Sequence, residues 1–370
     1  AHVRVIMVTG ENAITAREIA RQAGLANSDE HTLALTGAEF EAMADEEAKA
    51  VISNPDFKIL SRAKPNDKSR LVGLLQQLGE VVAVTGDGTN DAPALKKAQV
   101  GLSMGDGTAR AKEASDITII DNSFASINTA ILWGRSLYLN IRRFIIFQMT
   151  INVAACLVVL FGAFKGLDSP LNVTQMLWVN LIMDTFAAMA LSSLPADPRV
   201  MNERPRKTDS KIIDGRMLKM IIGVGLFFSL ILIGMWQMLS HGDYRCFEDM
   251  LHDFNWSHLT DFSAATHVRN KHELGIFFTF FVMLQFWNIF NARYFHTGRS
   301  LAEDLHDMAK DPASLGKHYS KGFIFIVVAI LAGQFVITNI FGDMFGVEAL
   351  TLKDWLLIIA TTSPVLIIAD

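Results

Sequence analysis

Val81-Val82-Ala83-Val84-Thr85-Gly86-Asp87-Gly88-Thr89-Asn90-Asp91-Ala92-Pro93-Ala94-Leu95 organises the first third of this sequence. The β-branched run Val81–Val84 reads as a buried strand, and Ala92-Pro93 opens a helix, with Pro93 near the first turn where its missing N–H is harmless. Glycines on both sides of Asp87 let the backbone turn sharply at the strand end. Asp87, Asn90 and Asp91 supply hard oxygen ligands, or their supports, of the kind Mg2+ takes in near-octahedral geometry. A helix start beside the acidic pair favours a phosphoryl group there as well. Strand, acids and helix start agree, so the stretch reads as a magnesium and phosphate loop rather than an Asp/Gly-rich surface turn.

The same rhythm extends on both sides. Val3–Val8 is followed by a helical pattern at Thr15–Ala23, Lys58–Ser61 by Lys68–Leu78, and Val81–Val84 by Ala92–Ala98, with short runs at Val100–Ser103 and Ile117–Ile120. Alternation of this kind predicts an α/β, Rossmann-like domain with a mostly parallel sheet over residues 1–140. Ligands of such sheets bind at the carboxyl ends of the strands, where both Thr9-Gly10-Glu11 and Thr85-Gly86-Asp87 fall. Taken alone, Lys68 at a helix start reads as a solvated surface charge, and Thr9-Gly10-Glu11 carries little weight.

From Phe144 onward the character changes. The chain of 370 residues is 51% hydrophobic with a mean hydropathy of +0.28, too apolar for an ordinary soluble domain. Six apolar segments approach the ~20 residues a bilayer requires: Phe144–Phe164, Leu171–Leu194, Met220–Leu239, Leu274–Ala292, Phe323–Phe341 and Trp355–Ala369. They predict a six-helix transmembrane domain over 141–370, the last segment barely long enough. Arg199, Arg204, Arg206, Lys207, Lys211 and Arg216 concentrate in one connection, which the positive-inside rule places in the cytoplasm together with the α/β domain. The loop Ser240–Lys271 then faces outside. Its histidines, His241, His252, His258 and His267, are irregularly spaced, which favours a loop surface over a metal site. A net charge of -5 without a long basic block argues against nucleic acid. Cys156 and Cys246, the only cysteines, argue against a disulfide framework or a Cys-based zinc site. Ala1 runs straight into an apolar run, and the other end stops in or just after one, so the chain reads as part of something longer.

Within the apolar half, Asp184 demands a reason, since a charge at mid-membrane costs about 2.5–3.5 kcal/mol on insertion scales. Asn180 lies one helical turn earlier on the same face, Asn152 sits in the first span, and Gln285 in the fourth. Carboxylate and amide oxygens converging between helices suit a hard cation. Asn288 and Asn291 read instead as side chains that tie helices together.

The run Thr85 to Ala98, followed by Met104-Gly105 and by Thr108 to Ala114, resembles the hinge signature of P-type ATPases in the haloacid-dehalogenase-like superfamily. That resemblance implies Mg2+ at Asp87, support of phosphate and metal by Asn90 and Asp91, and contact between Lys68 and the phosphoryl group. Thr9-Gly10-Glu11 resembles the family's Thr-Gly-Asp motif near the ATP nucleotide, with Glu in place of Asp. Gln175 to Thr185 and Val282 to Arg293 are similar to the plasma-membrane type of calcium pump. The reticulum type carries two glutamates where this chain has Ala155 and Gln285. The resemblance therefore implies one transported Ca2+ per cycle, held by Asn180, Asp184 and a glutamate outside this chain, with Asn152 and Gln285 as supports. The Asp-Lys-Thr-Gly-Thr motif that carries the phosphorylated aspartate is absent from these residues. The expectation is thus the second half of a phosphorylation domain and the last six helices of an exporter in the plasma membrane. Its partners would be the lipid bilayer, ATP, Ca2+ and the N-terminal part of the same polypeptide, and alone it would be inactive. A pump for Na+, K+ or H+, and a membrane-anchored phosphatase of the same superfamily, are the alternatives.

Overall fold

Residues 2–25, 32–165, 169–207, 209–253, 256–257, 267–296, 303, 306, 310 and 320–368 are described by a computed structural model. They divide into two compact units: residues up to Arg135 with Pro198–Lys211, and Ser136–Asp197 with the residues from Ile212 onward. His258, one of the outer-loop histidines, lies outside the described residues, as do Ala369 and Asp370.

The first unit contains, in order, β1 (Met7–Val8), α1 (Ala13–Gln22), β2 (Leu33–Thr36), α2 (Gly37–Ala42), α3 (Asp45–Ser53), β3 (Phe57–Ser61), α4 (Pro65–Gln77), β4 (Ala83–Gly86), α5 (Ala92–Lys97), β5 (Val100–Met104), α6 (Ala109–Ala114) and β6 (Ile117–Ile119). Every strand pairing is parallel. The single sheet expected from the sequence is two three-stranded sheets, ordered β1-β3-β2 and β4-β5-β6. β3 is buried along most of its length, as a parallel central strand covered on both faces should be. Ile59 packs with Ala16 and Ala20 of α1, and Phe57 and Leu60 join Phe40, Ile52, Leu71 and Leu74 from α2, α3 and α4.

Two local departures have clear causes. The strand expected over Val3–Val8 shrinks to Met7–Val8, because the Arg4 guanidinium is drawn to the carbonyls of Ile52 (2.8 Å), Asn54 (2.6 Å) and Phe57 (2.9 Å). β2, α2 and α3 have no counterpart in the sequence expectation: Leu33-Ala34-Leu35-Thr36 lacks β-branched apolar residues. α2 is only six residues long, started by a reciprocal cap in which the Thr36 N–H donates to Glu39 (2.7 Å) and the Glu39 N–H to Thr36 Oγ1 (3.3 Å).

The unit division falls within α7 (Phe124–Phe164), a helix of 41 residues. Then follow α8 (Val173–Leu177), a π-helical segment (Trp178–Met183), α9 (Asp184–Ser192), α10 (Gly215–His241), α11 (Phe247–His252), α12 (Lys271–Tyr294), α13 (Lys321–Asn339), α14 (Gly342–Phe345), α15 (Leu352–Thr362) and α16 (Val365–Ile368). Among the described residues, five stretches are long and apolar enough to cross a membrane, the second running through α8, the π segment and α9. The expected sixth span, Trp355–Ala369, is instead α15 of 11 residues and α16 of four. Pro364, between them, has no N–H to continue the helical ladder.

α12 is the hub of the second unit. It is buried over most of its length, and Phe277, Phe278 and Phe281 are completely enclosed. This accounts for its being apolar all round. Polar side chains tie its neighbours together: the Trp178 indole donates to Gln334 (3.0 Å), Gln334 to Thr279 of α12 (3.4 Å), Trp287 to Thr362 (2.9 Å), and Asn291 to the Val365 carbonyl (3.1 Å). Asn291 thus does the helix-tying expected of it. Near the middle of α7, the buried Arg142 pairs with Asp214 just before α10 and lies over the Phe295 ring. Arg143 donates to Asn140 (2.9 Å). Because α12 packs against protein and the outer face of α10 does not, their truncations should differ. Phe281→Ala is expected to cost about 3–5 kcal/mol, and Leu230→Ala, at an exposed position of α10, to stay within about 0.5 kcal/mol. Tryptophan fluorescence during denaturation of the detergent-solubilised chain measures both.

Candidate functional site

β4 ends at Gly86, and the chain then doubles back so closely that a Cβ on Gly86 would lie 2.5 Å from Cβ of Asp91. Only glycine fits there. The tight turn Thr89–Asp91 leads into α5. It places the Asp91 carboxylate where Oδ2 accepts the Gly88 N–H (3.2 Å) and Oδ1 meets Lys68 Nζ at 2.7 Å. Lys68 comes from the first turns of α4, which Pro65 starts. Both partners are largely shielded, with side chains 20% and 13% exposed. The reading of Lys68 as a solvated surface charge is therefore set aside: it links the carboxyl end of β4 to the helix that follows β3.

Asp87 is held by its backbone. Its carbonyl accepts the Thr108 N–H (2.8 Å), and Gly107 packs so close that a Cβ there would sit 3.1 Å from the same oxygen. The Asp87 and Asn90 residues are exposed, and among the described residues their side chains make no hydrogen bond or ion pair. A fixed backbone with an uncommitted carboxylate beside a Lys–Asp pair has the chemistry of a hard-cation and phosphate site. Thr9-Gly10-Glu11 follows β1, as expected, and lies along the end of β3. Thr9 donates to the Leu60 carbonyl (2.9 Å) and accepts from Ala63 (2.9 Å), and the Arg62 N–H donates to the Glu11 carbonyl (2.9 Å). Arg62 holds a left-handed φ of 48°, a conformation non-glycine residues seldom adopt outside functional or tightly constrained turns. The segment borders the connection leading to Lys68 and makes no hydrogen bond to the Asp87 loop.

In the second unit, Asp184 opens α9 directly after the π segment, and its N–H bonds back to the Val179 carbonyl five residues earlier. Its carboxylate is buried, and neither oxygen has a hydrogen-bond partner. The Gln148 side chain of α7 approaches it without meeting hydrogen-bond geometry. Asn180 lies inside the π segment and lines a cavity of about 550 Å³ with Val159, Leu171, Met176 and Leu181. It is exposed whereas Asp184 is enclosed. Gln285 of α12 is fully buried, with both amide atoms unpartnered. Asn152 of α7 is half-buried. No hydrogen bond joins Asn152, Asn180, Asp184 and Gln285 to one another. Gln148, which lies one turn before Asn152, and the π segment were both missed in the sequence. The former was hidden among ordinary polar side chains, and the latter carries no Gly or Pro to mark it.

Residues 168–370 match the family described as cation transporting ATPase, C-terminus. The chain belongs to that family. Residues 1–99 match the haloacid dehalogenase-like hydrolase family, in keeping with the parallel strands that lead into the segments of Lys68 and Asp87. It is 37% identical over 373 residues to plasma membrane calcium-transporting ATPase 2 of Oreochromis mossambicus, covering 96% of this chain and 31% of that protein. It is 36% identical to plasma membrane calcium-transporting ATPase 3 of Homo sapiens, covering 96% and 28%. Plasma membrane calcium-transporting ATPase 1 of Gallus gallus is 37% identical over the same shares. The chain thus spans under a third of the length of these relatives.

Asp91 holds the loop on two sides. Asp91→Ala is expected to leave Lys68 and the Gly88 N–H without their partner, costing about 1–3 kcal/mol locally. Amide hydrogen exchange over Gly86–Asp91 should rise at least about tenfold, while exchange in β3 stays unchanged.

Proposed function

We propose that this chain is the C-terminal part of an ATP-driven, calcium-translocating P-type ATPase that exports Ca2+ from the cytoplasm across the plasma membrane, one ion per cycle. The observation that carries the reading is Asp184: a carboxylate enclosed by apolar helices, without a hydrogen-bond partner, in a chain aligned over 96% of its length with calcium-transporting relatives. A buried, uncompensated carboxylate is costly unless a cation neutralises it. Asn180 adds an amide oxygen, the π segment frees backbone carbonyls from their usual partners, and Gln148, Asn152 and Gln285 lie on the helices around it. Asn180 faces an open cavity, which a fourth-helix segment from the N-terminal part of the intact protein would cover.

The proposed division is a partial phosphorylation domain over 1–140 on the cytoplasmic side and a six-helix membrane domain over 141–370. α15 and α16 together form the sixth crossing around Pro364. In the phosphorylation domain, Mg2+ bound at Asp87 would offset charge during phosphoryl transfer and hydrolysis. Lys68 directs its ammonium at the phosphoryl oxygens. Asp91 orients Lys68 and pins the Gly88 N–H, Asn90 supports the loop, and Thr9, Gly10 and Glu11 border the ATP. The nucleophilic aspartate is supplied from outside these residues. Domain motion reaches the membrane through α7, whose Arg142 grips Asp214 at the start of α10.

Asp184→Asn in the intact enzyme is expected to abolish Ca2+-dependent phosphorylation from ATP while leaving the size-exclusion profile intact; normal Ca2+ uptake by the variant would refute the assignment. ATPase activity across a panel of cations separates Ca2+ from Na+, K+ and H+. The isolated 370-residue chain is expected to form no acid-stable phosphoenzyme with labelled ATP. Formation of one would instead favour a phosphatase-like nucleophile within it.

A further inference from the structure

The end of α10 and the start of α12 bring together three side chains that the proposed transport cycle does not use. Glu273, in the first turn of α12, is completely buried. Its Oε1 accepts the Tyr244 N–H (3.0 Å) and its Oε2 the Asn270 N–H (2.9 Å). Two main-chain donors therefore fix the carboxylate before any ligand arrives. His267 Nε2 lies 3.0 Å from Glu273 Oε2 and 4.0 Å from Asp243 Oδ1. The His267 backbone is anchored as well, its N–H donating to the Ser240 carbonyl (3.1 Å) at the end of α10. Among the described residues this is the single grouping of three or more His, Cys, Asp or Glu ligands, and its three donor atoms lie within 4.8 Å of one another.

We infer that Asp243, His267 and Glu273 form a binding site for a divalent transition-metal ion of the Zn2+ class, clamping the end of α10 to the start of α12. Tetrahedral Zn2+ with bonds of about 2.0–2.2 Å separates its ligand atoms by about 3.3–3.6 Å. The observed 3.0 and 4.0 Å separations bracket that span. Asp243 has a side chain 71% exposed, so it can swing the short distance needed, while the buried Glu273 stays where its two N–H donors hold it. An imidazole nitrogen with two carboxylates selects Zn2+, Co2+ or Ni2+ over Ca2+ and Mg2+, which take oxygen. Three protein ligands leave a fourth position for water. The guanidinium nearby, Arg269, is stacked on Trp236 at 4.0 Å and donates to Ser240 Oγ (2.8 Å). Three described histidines of the same region do not join: His241 Nδ1 contacts the Gln237 carbonyl, His252 pairs with Glu248 on α11, and His272 Nε2 lies 3.7 Å from Asp354 Oδ2.

The 370-residue chain, purified in detergent and stripped with a chelator, can be titrated with Co2+ as the optical probe. The expected result is one Co2+ per chain with the intense visible bands of tetrahedral coordination, displaced by an equivalent of Zn2+ and unaffected by excess Ca2+. His267→Ala and Asp243→Asn should each weaken binding at least about tenfold, and His252→Ala should leave it unchanged. Glu273 is not varied, because it caps α12. Absence of tetrahedral bands, or equal affinity in H267A and H252A, overturns the site.

Discussion

A charge enclosed by apolar helices has to be compensated, and the second unit is arranged around that requirement. Asp184 could have been paired with an arginine or lysine, as Arg142 is with Asp214. It is left with no hydrogen-bond partner at all. A permanent salt bridge would be structural and silent. A carboxylate without a fixed partner stays available to a mobile ion, at the cost of instability whenever the ion is absent. The surrounding helices absorb that cost through packing, chiefly around α12, whose phenylalanines are completely enclosed. Polar ties from Trp178, Gln334, Trp287 and Asn291 keep the bundle in register without competing for the carboxylate.

The first unit solves the opposite problem. Its chemistry is at the surface, where water screens charges, and precision comes from the backbone. Gly86 admits the close approach of Asp91, Gly107 that of the Asp87 carbonyl, and the Lys68–Asp91 pair joins the ends of two parallel sheets. The exposed Asp87 carboxylate thereby sits on a rigid support. One unit buries an acid without a partner, and the other exposes an acid on fixed main chain.

Much of this was legible in the residues. The Asp87 loop announced itself because strand, glycines, acids and proline are all local signals within one stretch. Asp184 stood out because a lone carboxylate in a long apolar run is rare. The failures were of a different kind. Lys68 reads as surface in the sequence because its partner, Asp91, lies 23 residues away. β2 and α2 depend on a capping exchange and on burial against β3, neither of which leaves a strong apolar pattern. The split at Pro364 was visible in principle, yet hydropathy averaged over the window outweighed one residue. Asp243, His267 and Glu273 escaped because their convergence depends on how two helix ends meet, not on spacing along the chain.

The π segment has a geometric consequence that reaches beyond its own six residues. A turn closed by i→i+5 bonds carries about one residue more than an α turn, and each residue of an α-helix advances the side-chain direction by about 100°. The insertion is therefore a phase slip: everything from Asp184 to Ser192 is rotated relative to the frame set by Val173–Leu177. Asp184, the first residue past the slip, is enclosed, whereas Asn180 within the segment is exposed. A continuous α-helix of the same composition would point the residues after the segment about 100° away from where they now point. The bundle thus re-aims the second half of one short helix without a proline, a glycine or a break in the chain's path.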